Sequence, residues 1–408
     1  MNRPFWLQNE SFKIAGNRLF FAGYPIEKIV QENDTPLYLY DLEKVKNNYE
    51  KVVSKISKYA PLGYDSRVYY AMKANGAKEI LRQIHGSDGW IDTSSIGELK
   101  KALGTGFNPK KIIFTATNFG LTEFEFLCKS GVLINIDSFS QLERIREYAP
   151  MDISIRFNPG IEGVGFNKKY EMSGVDIKGS RLGIHSDRII EAYEKARFYG
   201  LNPIMFHQHI GSNWLTIEDL PKCLHAVRKA TEIIYELENR NFSIQVLNLG
   251  GGIGVRSHEK YPEFPLDSFM TSIWEIVLSS KIKIKTLAIE PGRYIAGNSG
   301  VLLAKVNMNE TKNGINYIGV DAGFNMYHHK FMYDIDNTII NVTRFGEAPN
   351  HKYAVCGYLG EQGDIFSELE MLPETKEGDV IMFYPAGAYC ASELAVHHHL
   401  PSPREFFI

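Results

Sequence analysis

The sequence predicts an α/β fold: a (β/α)8 TIM-like barrel followed by a β domain of the β-barrel or β-sandwich type. Two features of the chain predict it. From residue 36 onward, short apolar runs alternate with longer segments of helical spacing, which is the pattern of repeated βα units. After about residue 297 this alternation stops, and strand-like runs separated by Gly, Asn and Lys turns replace it.

The number of strands favours a barrel. A charged helix is expected at about 42–58, and eight strand-like runs follow it: "RVYYAM", "GWIDTS", "KIIFTA", "VLINID", "DISIRF", "IMFHQHI", "QVLNLG" and "TLAIEP". Helices are predicted between them at 95–104, 121–129, 138–147, 186–199, 216–239 and 265–279. Eight strands with intervening helices over about 250 residues fit a (β/α)8 barrel. A doubly wound open sheet gives a similar alternation, so periodicity alone leaves both folds open.

We expect two domains. The barrel is predicted at 36–296, and the β domain is predicted to combine residues 1–35 with 297–408. Within residues 1–35, the stretch "FKIAGNRLFFAG" has the pattern of a hairpin that would pair with the later strands. Those later strands are predicted in "GVLLAKVNMNETKNGINYIGVDAG", "NTIINVTRF", "HKYAVCGYLG" and "DVIMFYPAGAY".

The composition favours a small molecule as ligand. The net charge is -3 and the lysines and arginines are scattered, so no electrostatic footprint for nucleic acid is visible. No segment approaches the roughly 20 apolar residues that cross a bilayer, and "MNRPFWLQNESFKIAG" lacks the apolar core of a secretory signal. We therefore expect a cytoplasmic protein without membrane association. The four dispersed cysteines contain no CxxC pair and are expected to be reduced thiols.

The predicted strand ends carry the residues that can do chemistry, because the loops after the strands of such a barrel converge on one mouth. They supply Lys73, Asp92, Arg156 with Asn158, His209 with Gly211 and Ser212, Gly250–Gly252, and Glu290 with Arg293. Each is weak evidence alone, since strand-end lysines are usually solvated and glycine runs usually mark turns. Their conjunction at one mouth is the informative observation.

This combination fits the cofactor pyridoxal 5'-phosphate. Three successive glycines after a strand, together with the positive end of the next helix, are expected to hold a phosphate. Lys73 offers an amine for the cofactor aldehyde, Glu290 a carboxylate that keeps a pyridine nitrogen protonated, and His209 a ring that stacks on the pyridine. The sequence therefore predicts a pyridoxal-phosphate site.

The order of ten short motifs resembles one enzyme family. The motifs are "YYAMKAN", "IDTSSIGEL", "RFNPG", "SRLGI", "HIGS", "NLGGGIG", "EPGRYIAG", "DAGFN", "GEQGD" and "GAY". Together they resemble the alanine-racemase-fold amino-acid decarboxylases, most of all the diaminopimelate decarboxylases, and the likeness runs from "TPLYLYD" to "AGAY". It implies a barrel followed by a β domain, pyridoxal phosphate, an amino-acid substrate, and a homodimer with shared active sites.

The resemblance also implies roles for individual residues. Lys73, Glu290 and His209 would be catalytic, with Lys73 as the Schiff-base lysine. Cofactor contacts would come from Lys73, His209, Ser212, Gly250, Gly251, Gly252, Glu290, Gly292, Arg293 and Tyr389. Substrate contacts would come from Arg293, Tyr333, Glu361 and Tyr389, with Glu361 reaching the substrate from across the dimer interface. The carboxylate at Glu290 implies decarboxylation, because racemases of this fold usually carry an arginine there.

Two positions depart from the family pattern. The family's "CESGD"-like loop carries a cysteine thought to supply a proton, whereas this chain has Gly360 there. The family's "RPALY"-like segment carries an arginine that grips a substrate carboxylate, whereas this chain has "HKFMY" at 329–333, and a histidine offers no bidentate fork. Cys356 is expected to be too far away to replace the cysteine and to act as a small buried hydrophobe. His328 and His329 are alternative proton donors, although adjacent histidines in a polar loop are more often exposed bystanders.

We therefore expect a decarboxylase of an amino acid with a distal polar or amino group, in a specialised siderophore, antibiotic or peptide-modifying pathway. The alternatives are a genuine meso-diaminopimelate decarboxylase making lysine, a non-catalytic pyridoxal-phosphate-binding protein, and an amino-acid racemase. No metal is expected at the "HHH" of 397–399. Consecutive histidines on a strand would point to opposite faces, and no carboxylate cluster accompanies them in the sequence.

Overall fold

The computed structural model of the protein describes residues 4–161, 164–165 and 180–408, and it has the predicted barrel together with a second sheet domain. The chain divides into two compact units. The first, called the β unit, consists of Met1–Val45, Val255–Pro262 and Ile295–Ile408. The second, called the barrel unit, consists of Lys46–Gly254 and Glu263–Tyr294. This division differs from the expected ranges at 36–45, 255–262 and 295–296, which belong to the β unit.

The strands are numbered in chain order. They are β1 (Phe12–Ala15), β2 (Arg18–Phe21), β3 (Tyr24–Pro25), β4 (Leu37–Tyr40), β5 (Asp65–Ala71), β6 (Trp90–Thr93), β7 (Ile112–Thr115), β8 (Leu133–Ile136), β9 (Asp152–Asn158), β10 (Val164–Gly165), β11 (Ile184–His185), β12 (Asn202–Gln208), β13 (Gly211–Ser212), β14 (Val246–Asn248), β15 (Thr286–Ile289), β16 (Gly300–Lys312), β17 (Ile315–Val320), β18 (Thr338–Asn341), β19 (His351–Cys356), β20 (Ile365–Leu372), β21 (Val380–Tyr384) and β22 (Arg404–Phe407).

The α-helices are numbered in the same way. They are α1 (Ile26–Asn33), α2 (Leu42–Lys58), α3 (Lys78–Gly86), α4 (Ile96–Thr105), α5 (Leu121–Lys129), α6 (Phe139–Ile145), α7 (Ile189–Phe198), α8 (Asp219–Asn239), α9 (Leu266–Ser279), α10 (Arg293–Ala296) and α11 (His329–Tyr333). Every helix predicted above is present, within a few residues at each end. Along the described ranges, none of these helices is long and apolar enough to span a membrane.

The barrel sheet contains the eight strands that the sequence predicts. Their order is β9-β12-β14-β15-β5-β6-β7-β8, and β8 pairs again with β9, which closes the ring. Every pairing in this ring is parallel. The strands are nearly continuous apolar runs because a parallel sheet covered by helices is buried on both faces. The short β11 adds to β9 outside the ring.

Local sequence signals explain where the helices between these strands begin and end. At α4, the Ser95 hydroxyl accepts from the N–H of Glu98, and the Glu98 carboxylate accepts from the N–H of Ser94 at 2.7 Å. These two bonds satisfy donors that the first helical turn leaves unpaired. The helix ends at Gly106, whose φ of 108° is the left-handed conformation that glycine adopts without strain.

The β unit is built on a second sheet, in the order β18-β21-β16-β17-β19-β20. β4 joins it by pairing with β16 and with β22, which explains why residues 36–45 leave the barrel. The long strand β16 alternates between two cores: Leu302 and Ala304 face one, and Val301 and Leu303 face the other. The N-terminal hairpin forms as predicted but does not pair with the later strands. It makes its own three-stranded sheet, β1-β2-β3, and packs on the second core through Phe12 and Phe21.

Trp274 on α9 offers a test of packing in the barrel unit. Its indole N–H donates to the carbonyl of Ile56 at 2.9 Å in a buried setting, and its ring meets the edge of Tyr64. Trp274→Phe leaves that carbonyl buried without its donor, so we expect the free energy of unfolding to fall by about 1–3 kcal/mol. Urea unfolding followed by circular dichroism measures the change. Leu278→Ala, at an exposed position of the same helix, should stay within about 0.5 kcal/mol of the parent, and an equal loss there would contradict the assignment.

Candidate active site

Lys73 lies at the mouth of the barrel, in a short 3-10 turn (Met72–Ala74) that directly follows β5. The turn is held by the Tyr70 hydroxyl, which donates to the carbonyl of Asn75 at 2.8 Å. The neighbouring strand β6 places Asp92 opposite Ala71. As a result, the Lys73 ammonium lies 3.1 Å from Oδ2 of Asp92.

The two partners differ in their access to solvent. The Asp92 side chain is fully buried, whereas that of Lys73 is 31% exposed. Burial raises the pKa of Asp92, and the charge of Lys73 offsets part of that rise. Lys73 can therefore reach a ligand in the barrel mouth while its amino group stays paired with the buried Asp92.

Glu290 follows β15 and forms the centre of a second buried group. Its Oε1 accepts a hydrogen bond from Nδ2 of Asn248 at 2.7 Å, and its Oε2 lies 3.2 Å from Nε2 of His207, which donates to it. The backbone N–H of Glu290 donates to the carbonyl of Gly250 at 2.8 Å. Both carboxylate oxygens and the backbone are thus fixed by residues at the ends of neighbouring strands.

These contacts keep Glu290 ionised. Burial acts to raise its pKa, but the charge and hydrogen bond of His207, with the charge of Lys73, outweigh burial and lower the pKa to about 2. A carboxylate at the base of a barrel mouth that stays negative over the whole working pH range can balance a cationic ring nitrogen.

The ring of His209 is half-buried beside the glycine run. Its Nδ1 accepts a hydrogen bond from the backbone N–H of Gly251 at 3.1 Å, so this nitrogen carries no proton. Burial lowers the pKa of His209 well below its ordinary value, and the charges of Arg156 and Lys73 act in the same direction. His209 is therefore a neutral ring with a fixed orientation, as a stacking partner must be.

The three glycines at 250–252 are required by close packing. A Cβ on Gly250 would lie 2.5 Å from the carbonyl oxygen of Gln208, and one on Gly251 would lie 2.3 Å from that of Glu290. At Gly252 it would lie 2.4 Å from the ring of Trp214. Gly250 and Gly252 also have φ values of 69° and 123°, which side chains disfavour.

The expected phosphate cradle differs in two respects. The N–H groups of Gly250 and Gly251 already donate within the protein, to Oδ1 of Asn248 and Nδ1 of His209, which leaves the N–H of Gly252 for a ligand. The next helix along the chain, α9, begins only at Leu266, so the glycine run does not lead directly into a helix as the sequence predicted. The run therefore acts mainly by allowing the strand ends to approach one another.

The remaining barrel residues of the predicted set lie at the same strand ends. A Cβ on Gly292 would lie 2.8 Å from Cβ of Ala74, so this glycine lets the segment after β15 approach the Lys73 turn. Arg293 begins α10 and is buried. Ser212 is half-buried in β13, which pairs with β10. The predicted residues of the barrel unit thus lie at or just after the carboxyl ends of its strands.

The other three predicted residues belong to the β unit. Tyr333 ends α11 and is half-buried, with the edge of its ring near His328. Tyr389 has a φ of 57°, an unusual conformation for a tyrosine. Glu361 is exposed, and its Oε1 lies 2.7 Å from Nε2 of His397. Their roles stay predictions.

The positions that depart from the family pattern also lie in the β unit. His329 is buried, with Nδ1 3.4 Å from Oδ1 of Asn337 and Nε2 3.8 Å from Sγ of Cys390. His328 is buried as well, so neither histidine is the exposed bystander that the sequence predicted. Cys356 donates through Sγ to the carbonyl of Ile318, and burial raises the pKa of its thiol, as for an inert cysteine.

Sequence reasoning missed two functional neighbours, His207 and Asn248. A signal for both was present, because each lies two residues before a predicted site residue, His209 and Gly250, in a strand or at its end. Side chains two residues apart in a strand lie on the same face. The residues two positions before each predicted site residue could therefore have been predicted to face the site as well.

The donor set fits pyridoxal phosphate: an exposed amine, an ionised buried carboxylate, a neutral ring, and a turn where backbone can approach a ligand closely. The family model described as "Pyridoxal-dependent decarboxylase, pyridoxal binding domain" matches residues 46–297. A diaminopimelate decarboxylase of Methanothermobacter thermautotrophicus is 32% identical over 398 residues, which cover 96% of this chain and 90% of that protein. Another, from Archaeoglobus fulgidus, is 30% identical over 93% of this chain and 88% of that protein.

Solved structures agree with these relatives. Diaminopimelate decarboxylase from Helicobacter pylori, complexed with L-lysine, has a TM-score of 0.84 at 28% identity and covers 94% of each chain. The enzyme from M. jannaschii, in co-complex with L-lysine, has a TM-score of 0.88 at 26% identity, covering 98% of this chain and 93% of that one. The chain therefore belongs to the pyridoxal-dependent decarboxylases, as a carboxy-lyase that uses pyridoxal phosphate and is of the diaminopimelate-decarboxylase type.

Proposed function

We propose that this enzyme decarboxylates an amino acid carrying a polar or amino group far from the reacting carbon, and that it works as a homodimer with shared active sites. The observation that carries the proposal is the pair of buried groups at the barrel mouth: Lys73 against Asp92, and Glu290 held by His207 and Asn248. One group offers a nucleophilic amine, and the other offers a permanent negative charge. Loss of CO2 from an amino acid needs both.

Pyridoxal phosphate supplies the electron sink that accepts the charge left by CO2. In our proposal Lys73 would hold the cofactor through its aldehyde, and a substrate amine that took the place of the lysine would leave the Lys73 amino group free to move a proton. The released amine lies beside the buried Asp92, which can hold it in its protonated form and keep it near the reacting carbon. In this proposal Lys73 has two successive roles: it attaches the cofactor, and it then transfers a proton.

Glu290 is proposed to pair with the pyridine nitrogen, and His209 to stack on the ring. The low pKa of Glu290 means that it remains a carboxylate and favours a proton on that nitrogen. The neutral His209 ring adds no competing positive charge at the face of the cofactor. Ser212, Gly250, Gly251, Gly252, Gly292, Arg293 and Tyr389 are proposed as further cofactor contacts.

Substrate contacts are proposed for Arg293, Tyr333, Glu361 and Tyr389. Glu361 is exposed in the β unit and carries the negative charge that a distal ammonium group needs. His329 occupies the position of the family arginine but is buried near Asn337 and Cys390, so it presents no cationic fork to a carboxylate. This difference favours a substrate other than diaminopimelate, such as one of a specialised pathway.

Decarboxylation of meso-diaminopimelate to lysine is the second candidate. It is favoured by the names of the relatives, which are about 30% identical over most of the chain. A racemase is disfavoured by the carboxylate at Glu290 and by the decarboxylase family model. The two remaining candidates, a decarboxylase of another amino acid and a meso-diaminopimelate decarboxylase, share the same reaction. They differ in the substrate group that lies far from the reacting carbon.

A panel assay separates these two candidates. The purified enzyme with pyridoxal phosphate is incubated with single amino acids, including meso-diaminopimelate, ornithine, lysine and acidic amino acids, and CO2 release is measured. We expect kcat/KM for the best substrate to exceed that for meso-diaminopimelate by about 10-fold or more, because the buried His329 cannot grip the distal carboxylate. A preference for meso-diaminopimelate would favour the second candidate. The proposal would be contradicted if the enzyme released CO2 neither from any of these amino acids nor from cell extracts.

Lys73→Ala tests the covalent attachment of the cofactor. The variant should lose the absorbance at about 420 nm that marks the lysine-bound cofactor, and activity should fall at least about 1,000-fold. Borohydride reduction followed by mass spectrometry should find the adduct on the Lys73 peptide of the parent. Lys78→Ala, an exposed lysine at the start of α3, is the matched control and should keep both properties. An intact 420 nm band in the Lys73 variant would refute the assignment.

Glu290→Gln tests the carboxylate. The amide preserves the shape and its oxygen can still accept from Asn248, but it cannot balance a cationic ring nitrogen, so kcat should fall about 100-fold or more while the cofactor remains bound. Steady-state kinetics with a cofactor titration measures both effects. The control is Glu191→Gln, an exposed glutamate on α7 paired with Arg188. Equal kcat values for the Glu290 variant and the parent would remove Glu290 from the mechanism.

Subunit mixing tests the shared active site. If Glu361 serves the site of the other subunit, inactive Lys73→Ala and Glu361→Gln proteins should regain activity when unfolded and refolded together. Half of the randomly mixed dimers then hold one intact site, so about one quarter of the parent activity is expected. Mixing Lys73→Ala with Glu290→Gln is the control, since both changes lie in the barrel unit and no intact site can form. Failure of the first mixture to exceed the second would contradict the shared site.

A further inference from the structure

The β unit holds a group of three metal-ligand side chains, Glu361, His397 and His398, called here the Glu-His-His cluster. One ligand atom of each lies within 4.8 Å of those of the other two. We propose that this cluster binds a divalent transition-metal ion such as Zn²⁺. Glu361 is also proposed above as a substrate contact, so a bound ion would compete with a substrate ammonium group for its carboxylate. The metal proposal itself does not depend on the proposed function, because binding can be measured without turnover.

The backbone explains why two neighbouring histidines meet at one carboxylate. Residues 397–399 are not in a strand, which was the premise on which the sequence argued against a metal. They form a tight turn in which the N–H of Leu400 donates to the carbonyl of His397 at 3.0 Å. His398 and His399 have φ values of 48° and 55°, in the left-handed region. The turn directs the rings of His397 and His398 to the same side, and both face Glu361.

The sequence shows no carboxylate cluster beside the histidines, but the fold brings one carboxylate, that of Glu361, close to them. Oε1 of Glu361 lies 2.7 Å from Nε2 of His397 and 3.9 Å from Nε2 of His398. Ligand atoms of a tetrahedral zinc ion lie about 3.3 Å apart, because each Zn–N or Zn–O bond is about 2.0–2.1 Å. The observed distances lie on either side of that value. The ligand atoms of His397 and His398 lie within 4.8 Å of each other, so all three atoms start near coordination distance.

The loop that carries Glu361 is fixed by Asp364. The Asp364 carboxylate accepts hydrogen bonds from the N–H groups of Leu359 at 2.8 Å and Phe324 at 2.7 Å. The N–H of Asp364 donates to the carbonyl of Glu361 at 3.0 Å. The Glu361 backbone is thus held on both sides, and a metal site on a held backbone loses less conformational entropy on binding.

The ring of His397 is also held in place. It meets Phe324 edge-on at a centroid distance of 5.4 Å, and Phe324 stacks on Phe331 at 4.2 Å. Such packing restricts the rotamers of His397, so its Nε2 is presented toward Glu361 before any ion arrives. Glu361 and His397, two of the three ligands, are therefore held in place by neighbouring residues.

The donor atoms indicate the class of ion. Two imidazole nitrogens with one carboxylate oxygen suit Zn²⁺, Co²⁺, Ni²⁺ or Cu²⁺, whereas Ca²⁺ and Mg²⁺ prefer oxygen ligands alone. Three protein ligands leave a fourth position for water or for a group of another molecule. The partly exposed site makes that position accessible.

The test measures binding of the metal alone to the full-length protein with its cofactor, after dialysis against a chelator. Calorimetry with Zn²⁺ should show one ion per chain, and Co²⁺ should give the visible absorbance of a four-coordinate complex. His397→Ala and His398→Ala should each weaken Zn²⁺ binding about 10-fold or more. His399→Ala is the matched control, because it removes an adjacent exposed histidine outside the cluster, and its affinity should equal that of the parent.

Further measurements make the outcome decisive. Circular dichroism and the 420 nm absorbance of each histidine variant should match those of the parent, so that a loss of binding cannot come from unfolding. The Lys73→Ala protein should bind Zn²⁺ like the parent, which separates this site from the barrel mouth. Absence of stoichiometric binding by the parent would overturn the proposal. So would equal affinities in the His397, His398 and His399 variants.

Discussion

The buried carboxylate of Glu290 is the constraint around which the site is built. A charge removed from water is costly unless hydrogen bonds replace its hydration, and His207 with Asn248 supplies them. The same Asn248 side chain accepts from the N–H of Gly250, and the next N–H, of Gly251, donates to His209. One asparagine thus links the acid, the glycine run and the ring, so none of them can move independently.

The pKa values of the two buried carboxylates at the barrel mouth, Asp92 and Glu290, are shifted in opposite directions. Burial raises the pKa of Asp92, and the charge of Lys73 offsets part of that rise, whereas His207 and Lys73 lower the pKa of Glu290. Environments that push two acids apart allow one site to hold a permanent charge and to manage a proton at the same time. Here Glu290, after β15, carries the permanent charge, and Lys73, beside Asp92 of β6, manages the proton.

The barrel could be predicted because its strands are apolar runs that end on polar residues, a pattern set by burial on both faces. The site followed from the same rule, since Lys73, His209 and Glu290 each stand where a run ends. Pairings between distant segments left no local signal: β4 looks like a first barrel strand but belongs to the β unit. The turn at 397–399 was also missed, because left-handed histidines break the alternation on which a strand prediction rests.

The position of β4 has a consequence for how the chain matures during synthesis. β4 lies between β16 and β22, so a strand made near the beginning of translation waits for partners that leave the ribosome more than 250 residues later. Most strands of the barrel unit pair with a neighbour close in sequence, with the β5–β15 pair as the exception, so this unit can condense before β16 to β22 are made. Until β22 is complete, β4 exposes an unpaired edge of aromatic residues to the cell, a natural target for chaperones.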